Sequence, residues 1–172
     1  MIDRSVPGYN TTLSIIQQQT KNHYIEGSNI YDLGCSLGAS TSSLLNAINR
    51  KSTVIAIDNS ESMIRACKER FGKHINAGQV NFFKEDISNS EILNASIVVI
   101  NFVLQFLSIK ERVKLMQKIY QGLVPGGILI LSEKVHFDSK KRTEEISNIH
   151  HSFKAANGYS KLEISSKRDS LE

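Results

Sequence analysis

Short apolar runs alternate along this chain with stretches whose apolar residues recur at helical spacing. Asn29-Ile-Tyr-Asp-Leu33 runs into Gly34, then Cys35-Ser36-Leu37-Gly38, then a helix-like stretch from Ala39 to Asn49. That order predicts strand, tight turn and helix. Thr53-Val-Ile-Ala-Ile57 is β-branched and almost continuously apolar, as a strand covered on both faces should be, and it stops at Asp58. Ser60 then offers an N-cap to a helix that carries Met63, Ile64 and Cys67 on one face. Val80-Asn-Phe-Phe83, ending near Asp86, and Ser96-Ile-Val-Val-Ile-Asn101 read as the third and fourth strands. Between Ile109 and Leu123, the positions Val113, Leu115, Met116, Ile119, Tyr120 and Leu123 follow helical spacing. Pro125-Gly126-Gly127 is expected to stop that helix, and Ile128-Leu-Ile-Leu131 supplies a fifth strand. Further on, Lys140-Lys141-Arg142 reads as a solvated loop, Thr143 to Asn157 as a helix broken at Gly158, and Leu162 to Glu172 as the opening of another.

Apolar strands alternating with helices indicate parallel βαβ units, and hence an α/β, doubly wound parallel sheet with helices on both faces. The 172 residues fit a single domain, 1–172. With 40% hydrophobic and 22% charged residues and only 2 prolines, the composition excludes a disordered or low-complexity chain. A formal net charge of +4, spread along the sequence, is too mild to single out nucleic acid as a direct partner. No run approaches the length of a membrane span, and Met1 to Asn10 has no signal-peptide character. Two cysteines, Cys35 and Cys67, suit a reducing cytoplasm better than a disulfide framework or a zinc site.

Open parallel sheets bind ligands beyond the carboxyl ends of their strands, where the strand order reverses. Asp32, Gly34, Ser36, Asp58, Asp86 and Asn101 all fall at strand ends and are expected to face one crevice. Gly34 and Gly38 suit a sharp turn that brings backbone close to a ligand. Asp58, closing the second strand, suits the two hydroxyls of a ribose, which predicts a nucleoside ligand. The turn lacks the third glycine of a dinucleotide fingerprint, which disfavours NAD. No Gly-Lys-Ser/Thr triplet occurs either, which disfavours ATP hydrolysis. His150-His151 has no companions at metal-ligand spacing, so no metal is expected.

The string Asp32-Leu-Gly-Cys-Ser-Leu-Gly38 resembles the first motif of class I S-adenosylmethionine-dependent enzymes, with Ser36 where the middle glycine usually stands. A wider set of strings is similar to one family, carboxy-S-adenosyl-L-methionine synthase: Arg4-Ser-Val-Pro-Gly-Tyr9, Ala56-Ile-Asp-Asn-Ser60, Asn101-Phe102 with Leu104-Gln-Phe-Leu107, Lys118-Ile-Tyr-Gln-Gly-Leu123, Leu131-Ser-Glu-Lys134, and Ala156-Asn-Gly-Tyr-Ser160 with Lys167-Arg168. The resemblance implies a Rossmann-like methyltransferase fold in which S-adenosyl-L-methionine is a substrate. Its methyl carbon would gain a carboxyl group from prephenate, giving carboxy-S-adenosyl-L-methionine and phenylpyruvate, for modification of a tRNA wobble uridine to 5-oxyacetyl-uridine. It further implies a ligand-contacting Tyr9, a backbone turn of Gly34, Cys35 and Ser36 against the methionine portion, a ribose site of Asp58 and Asn59, and an adenine site of Asp86 and Ile87. Asn101 would lie near the sulfonium, and Arg168 would hold the new carboxylate, reaching the neighbouring site of a homodimer. The family carries more residues at the amino end and a carboxyl-terminal strand hairpin, so the chain reads as a truncated form lacking that hairpin. Two alternatives to this activity stand: a methyltransferase acting on tRNA or a small molecule, or an inactive truncated remnant that binds the nucleoside.

Overall fold

The computed structural model describes residues 2–49, 51–160 and 162–163. The described residues form two compact units, one within 13–134 and one made from the two terminal segments, within 1–12 and 135–163.

In the larger unit, β1 (Asn29–Leu33), β2 (Thr53–Asp58), β3 (Val80–Lys84), β4 (Ala95–Asn101) and β5 (Leu123–Ser132) form a five-stranded sheet in the order β3-β2-β1-β4-β5. Every pairing is parallel. The chain winds outward from β1 to β3 and then returns to lay β4 on the other side of β1. The strand order therefore reverses between β1 and β4, and the doubly wound expectation holds. Alternation along the strands divides the core between the two faces of the sheet. Ile30, Val54, Ala56, Val80, Phe82, Ile97 and Val99 pack with Ile16 of α1 (Tyr9–His23), Leu44 and Leu45 of α2 (Ala39–Leu45), and Ile64 and Cys67 of α3 (Glu61–Arg70). Tyr31, Leu33, Ile57, Val98 and Ile100 pack on the opposite face with Leu115 and Ile119 of α5 (Ile109–Gly122). A short α4 (Gly72–Asn76) precedes β3.

Several boundaries differ from the sequence expectations for physical reasons. Helix α2 stops at Leu45 rather than Asn49. In α5, which starts on a capping box between Ser108 and Glu111, the buried face is Leu115 and Ile119, while Val113 and Tyr120 are exposed despite their spacing. Pro125-Gly126-Gly127 does not separate helix from strand. Strand β5 begins at Leu123, directly after α5, and its register with β4 jumps from Ala95↔Leu123 to Ile97↔Ile128. Residues 124–127 form a bulge, tolerated because β5 lies at the edge of the sheet among the described residues and a proline in the bulge forfeits no ladder bond to β4. Ser60 stands at the N-cap of α3, yet its hydroxyl does not cap; its N–H donates to Asp58 Oδ1 instead.

In the terminal unit, Lys140, Lys141 and Arg142 form the first turn of α6 (Lys140–Ala156) rather than a loop. Ser139 caps this helix by accepting from the Arg142 N–H. His150 is half-buried, with Nε2 2.7 Å from the Ser5 carbonyl. Arg4 donates through Nε and Nη2 to the Asn157 carbonyl at 2.8 and 2.7 Å, and its guanidinium lies 5.4 Å from the Tyr159 ring centroid. The early Arg4-Ser-Val-Pro-Gly-Tyr9 string and the late Ala156-Asn-Gly-Tyr-Ser160 string are thus bound to each other. No helix among the described residues is long and apolar enough to cross a membrane.

Candidate functional site

The carboxyl ends of β1, β2 and β4 meet around the turn that follows β1. Gly34 (φ +79°) and Gly38 (φ +77°) both adopt the left-handed backbone, and neither leaves room for a side chain. A Cβ on Gly34 would lie 2.4 Å from Val103 Cγ2, and one on Gly38 would lie 2.5 Å from Phe71 Cε2. The first contact seats the turn against the segment after β4, and the second seats α2 against α3. Ser36, where the related motif usually has glycine, is also left-handed at φ +48°. The turn therefore keeps the conformation a glycine would adopt, at a cost of about 1 kcal/mol for a residue bearing a Cβ.

Asp58 fastens this turn to β2. Its Oδ2 accepts from the Ser36 N–H and its Oδ1 from the Ser60 N–H, both at 2.9 Å. The Gly34 and Cys35 N–H groups donate to the Ile57 carbonyl at 2.8 and 2.9 Å. Each carboxylate oxygen can accept more than one hydrogen bond, so Asp58 can hold the turn and still accept from a pair of hydroxyls. Asn59 beside it is exposed.

Beneath the turn, Asp32 is only 1% exposed and accepts from Thr41 Oγ1 at 2.5 Å. Burial pushes its carboxyl up to about 6, against the opposing pull of the Thr41 hydrogen bond, and the nearby Asp58 charge adds to the rise. Cys35 is buried too. Its thiol is held above the ordinary thiol range by the hydrogen bond with Cys67 and by burial, so Cys35 contributes backbone rather than a nucleophile. Cys67 also donates from Sγ to the Ser36 carbonyl at 3.1 Å.

Asn101 ends β4 with Nδ2 donating to Ser40 Oγ at 3.2 Å, while its buried Oδ1 has no hydrogen-bond partner among the described residues. A buried acceptor left open costs stability unless a ligand or water fills it. Phe102 follows at φ +59°, an uncommon conformation for an aromatic residue. It is held by its N–H to the Ser132 carbonyl at 2.8 Å and by Gln105 Nε2 donating to its own carbonyl at 3.0 Å. Beyond β3, Asp86 is exposed and its carboxyl lies below the ordinary range, chiefly because the Ser88 N–H donates to it. Ile87 is buried against the α5 face.

The structure thus gathers Gly34, Cys35, Ser36, Asp58, Asn59 and Asn101 at the point where the strand order reverses, with Asp86 and Ile87 beyond the end of β3. Tyr9 opens α1 in the terminal unit, where it is buried. Arg168 lies outside the described residues. Sequence reasoning missed Thr41, Ser40 and Val103, which position the site through contacts that no strand-end pattern reveals. Among the described residues no cluster of His, Cys, Asp or Glu is placed to hold a metal.

Residues 30–127 match the family model described as methyltransferase domain. Over its full length the chain is 49% identical to the carboxy-S-adenosyl-L-methionine synthase of Vibrio vulnificus strain YJ016, covering 71% of that protein. It is 50% identical to the enzyme of the same name from Vibrio campbellii, again over 100% of this chain and 71% of the relative. Among solved structures, a putative rRNA methylase from Clostridium thermocellum superposes with a TM-score of 0.61 at 17% identity, covering 88% of this chain and 82% of that one. A putative S-adenosyl-L-methionine-dependent methyltransferase from Methanococcus maripaludis gives 0.60 at 19% identity, covering 83% and 64%. These two structural likenesses establish the fold.

Proposed function

We propose, because the chain belongs to the carboxy-S-adenosyl-L-methionine synthase family of transferases, that it converts S-adenosyl-L-methionine and prephenate to carboxy-S-adenosyl-L-methionine, phenylpyruvate and water in the cytoplasm, the methyl proton leaving with the ring hydroxyl of prephenate, for modification of a tRNA wobble uridine. The observation that carries this reading is the convergence at the reversal point of an acid with spare acceptor capacity, a left-handed backbone turn and an open buried amide oxygen. Asp58 and Asn59 would take the ribose hydroxyls, and the backbone of Gly34, Cys35 and Ser36 the methionine portion. Asp86 would accept from the exocyclic amine of adenine while the Ile87 N–H donates to the ring. Asn101 Oδ1 would face the polarised groups next to sulfur. The substrate supplies the chemistry, since a sulfonium acidifies its attached methyl. What the protein adds is orientation, a place without competing water and a cation for the new carboxylate.

Arg168 is the residue proposed to hold that carboxylate, from the neighbouring subunit of a homodimer, because a planar guanidinium can grip it bidentately. An Arg168→Ala variant should bind carboxy-S-adenosyl-L-methionine more weakly by about 2 kcal/mol, the scale of a lost charge-assisted hydrogen bond, and S-adenosyl-L-methionine almost unchanged. Equal losses in calorimetric titrations with the two nucleosides would remove Arg168 from the role. The activity itself is tested by incubating the protein with S-adenosyl-L-methionine and prephenate labelled at its ring carboxyl. Mass spectrometry should find the label in a carboxylated sulfonium nucleoside. S-adenosylhomocysteine formed only with an added acceptor would favour methyl transfer instead. Ligand binding without turnover would mark a nucleoside-binding form of the enzyme.

A further inference from the structure

We propose that Lys118 of α5 is a positioning residue for nucleobase recognition, holding the turn from Asp86 to Ser90 in the shape that presents the Asp86 carboxylate and the Ile87 backbone to the base. The proposal rests on the reading of Asp86 and Ile87 as the adenine contacts. Lys118 is half-buried, and its Nζ donates to the Ser88 carbonyl at 2.7 Å and to the Ser90 carbonyl at 3.4 Å. Ser88 is the pivot of the turn. Its N–H donates to Asp86 Oδ1 at 2.9 Å while its own carbonyl is gripped by the ammonium, so one residue connects Lys118 to the acid. Two further bonds close the turn on the Asp86 carbonyl, from the Asn89 N–H at 2.9 Å and from Ser90 Oγ at 3.3 Å.

The apolar side of the same segment is fixed to the same helix, because Ile87 and Ile92 pack with Leu115 and Ile119. Lys118 immediately precedes Ile119, so α5 grips the segment by an apolar contact and a charged one on adjacent residues. An ammonium held partly out of water forms stronger hydrogen bonds to carbonyls than it would in bulk solvent. The Asp86 carboxylate is exposed and belongs to a segment without regular secondary structure. Its direction therefore depends on what anchors Ser88, and among the described residues Lys118 is the group from outside the turn that reaches its carbonyl.

The test measures calorimetric affinity for S-adenosyl-L-methionine and for its hypoxanthine analogue, in which a carbonyl replaces the exocyclic amine, with the wild type and with Lys118→Met, Lys118→Arg and Asp86→Asn. Lys118→Met should weaken the adenine ligand about tenfold and the hypoxanthine ligand about twofold or less, so the preference between them shrinks. Lys118→Arg, which can still donate to both carbonyls, should restore the preference to within about threefold of wild type. Asp86→Asn should abolish it. If Asp86→Asn leaves the preference intact, the adenine assignment is wrong. If Asp86→Asn abolishes it while Lys118→Met lowers both affinities equally or neither, the assignment stands and the role given to Lys118 fails. Lys118→Gln, a milder change read in the same way, covers the case in which the methionine variant does not fold.

Discussion

A Gly34→Ala variant is expected to lose most of its nucleoside binding and about 3 kcal/mol of stability, the sum of a left-handed alanine and an overpacked contact. The two costs have separate sources. Gly34 has φ +79°, where a Cβ is disfavoured, and that Cβ would stand 2.4 Å from Val103 Cγ2 and 2.9 Å from Cγ1. Val103 follows the left-handed Phe102, which is hydrogen-bonded to the end of β5, so the valine cannot retreat without disturbing that join. The turn must move instead. Movement there draws the Ser36 N–H away from Asp58 Oδ2 and the Gly34 and Cys35 N–H groups away from the Ile57 carbonyl. Denaturant titration of the wild type, Gly34→Ala, Val103→Ala and Gly34→Ala/Val103→Ala separates the contributions. The double variant relieves the clash but not the backbone strain, so it should lie closer to the wild type than the sum of the two single changes. Strict additivity would show that the contact with Val103 is not what excludes a side chain at position 34.

The contact with Val103 also marks where the sequence stops being legible. Strand positions were readable because β-branched, apolar runs such as Thr53–Ile57 have few alternatives, and because Asp58 and Asn101 interrupt those runs only where the sheet ends. The doubly wound topology follows from the same alternation. Helix α1 was not readable: its Gln17-Gln18-Gln19 stretch is polar, and in its larger-unit part only Ile16 and Thr20 are buried, too sparse a pattern to show a period. Pro125-Gly126-Gly127 misled for the opposite reason. The three residues do break a regular element, but β5 absorbs the break as a bulge in its pairing with β4, and a bulge is settled by the register of the partner strand, which no local string records. At the site, residues whose chemistry faces the ligand carry their own signal. Those that act through packing do not, because Val103, Thr41 and Lys118 become neighbours of Gly34, Asp32 and Ser88 only after the sheet has assembled. The binding of Arg4 to Asn157 is likewise a long-range contact between strings that, in the sequence, show only their likeness to a family.

Asp32 gives a prediction of unusual sign: its replacement by asparagine should stabilise the protein at neutral pH. The carboxyl is buried beneath the turn and raised from its ordinary value of 3.8 to about 6, first by loss of hydration and then by the charge of Asp58. Between those two values the folded protein retains a proton that the unfolded chain has released, so stability falls as pH rises from about 4 to 6 and is level above that. A rise of that size corresponds to about 3 kcal/mol at neutral pH. Asparagine cannot ionise, and its Oδ1 can still accept from Thr41 Oγ1. Asp32→Asn should therefore exceed the wild type by up to about 3 kcal/mol at pH 7.5, with the gap closing as pH approaches about 4. Denaturant midpoints across that range measure it, and a gap independent of pH would show that Asp32 does not carry the penalty. Binding should move the other way. An ionised Asp32 beside Asp58 makes the floor of the site negative, and a cationic sulfonium with its ammonium group offsets the repulsion that the empty site bears. Affinity of the wild type for S-adenosyl-L-methionine should rise as pH increases through about 6, and Asp32→Asn should abolish that rise while binding more weakly at neutral pH. A variant that gains stability and keeps full affinity would mean that the buried charge serves neither the fold nor the ligand. The opposite outcome would identify Asp32 as a residue whose cost in the free protein is offset when a cation occupies the site.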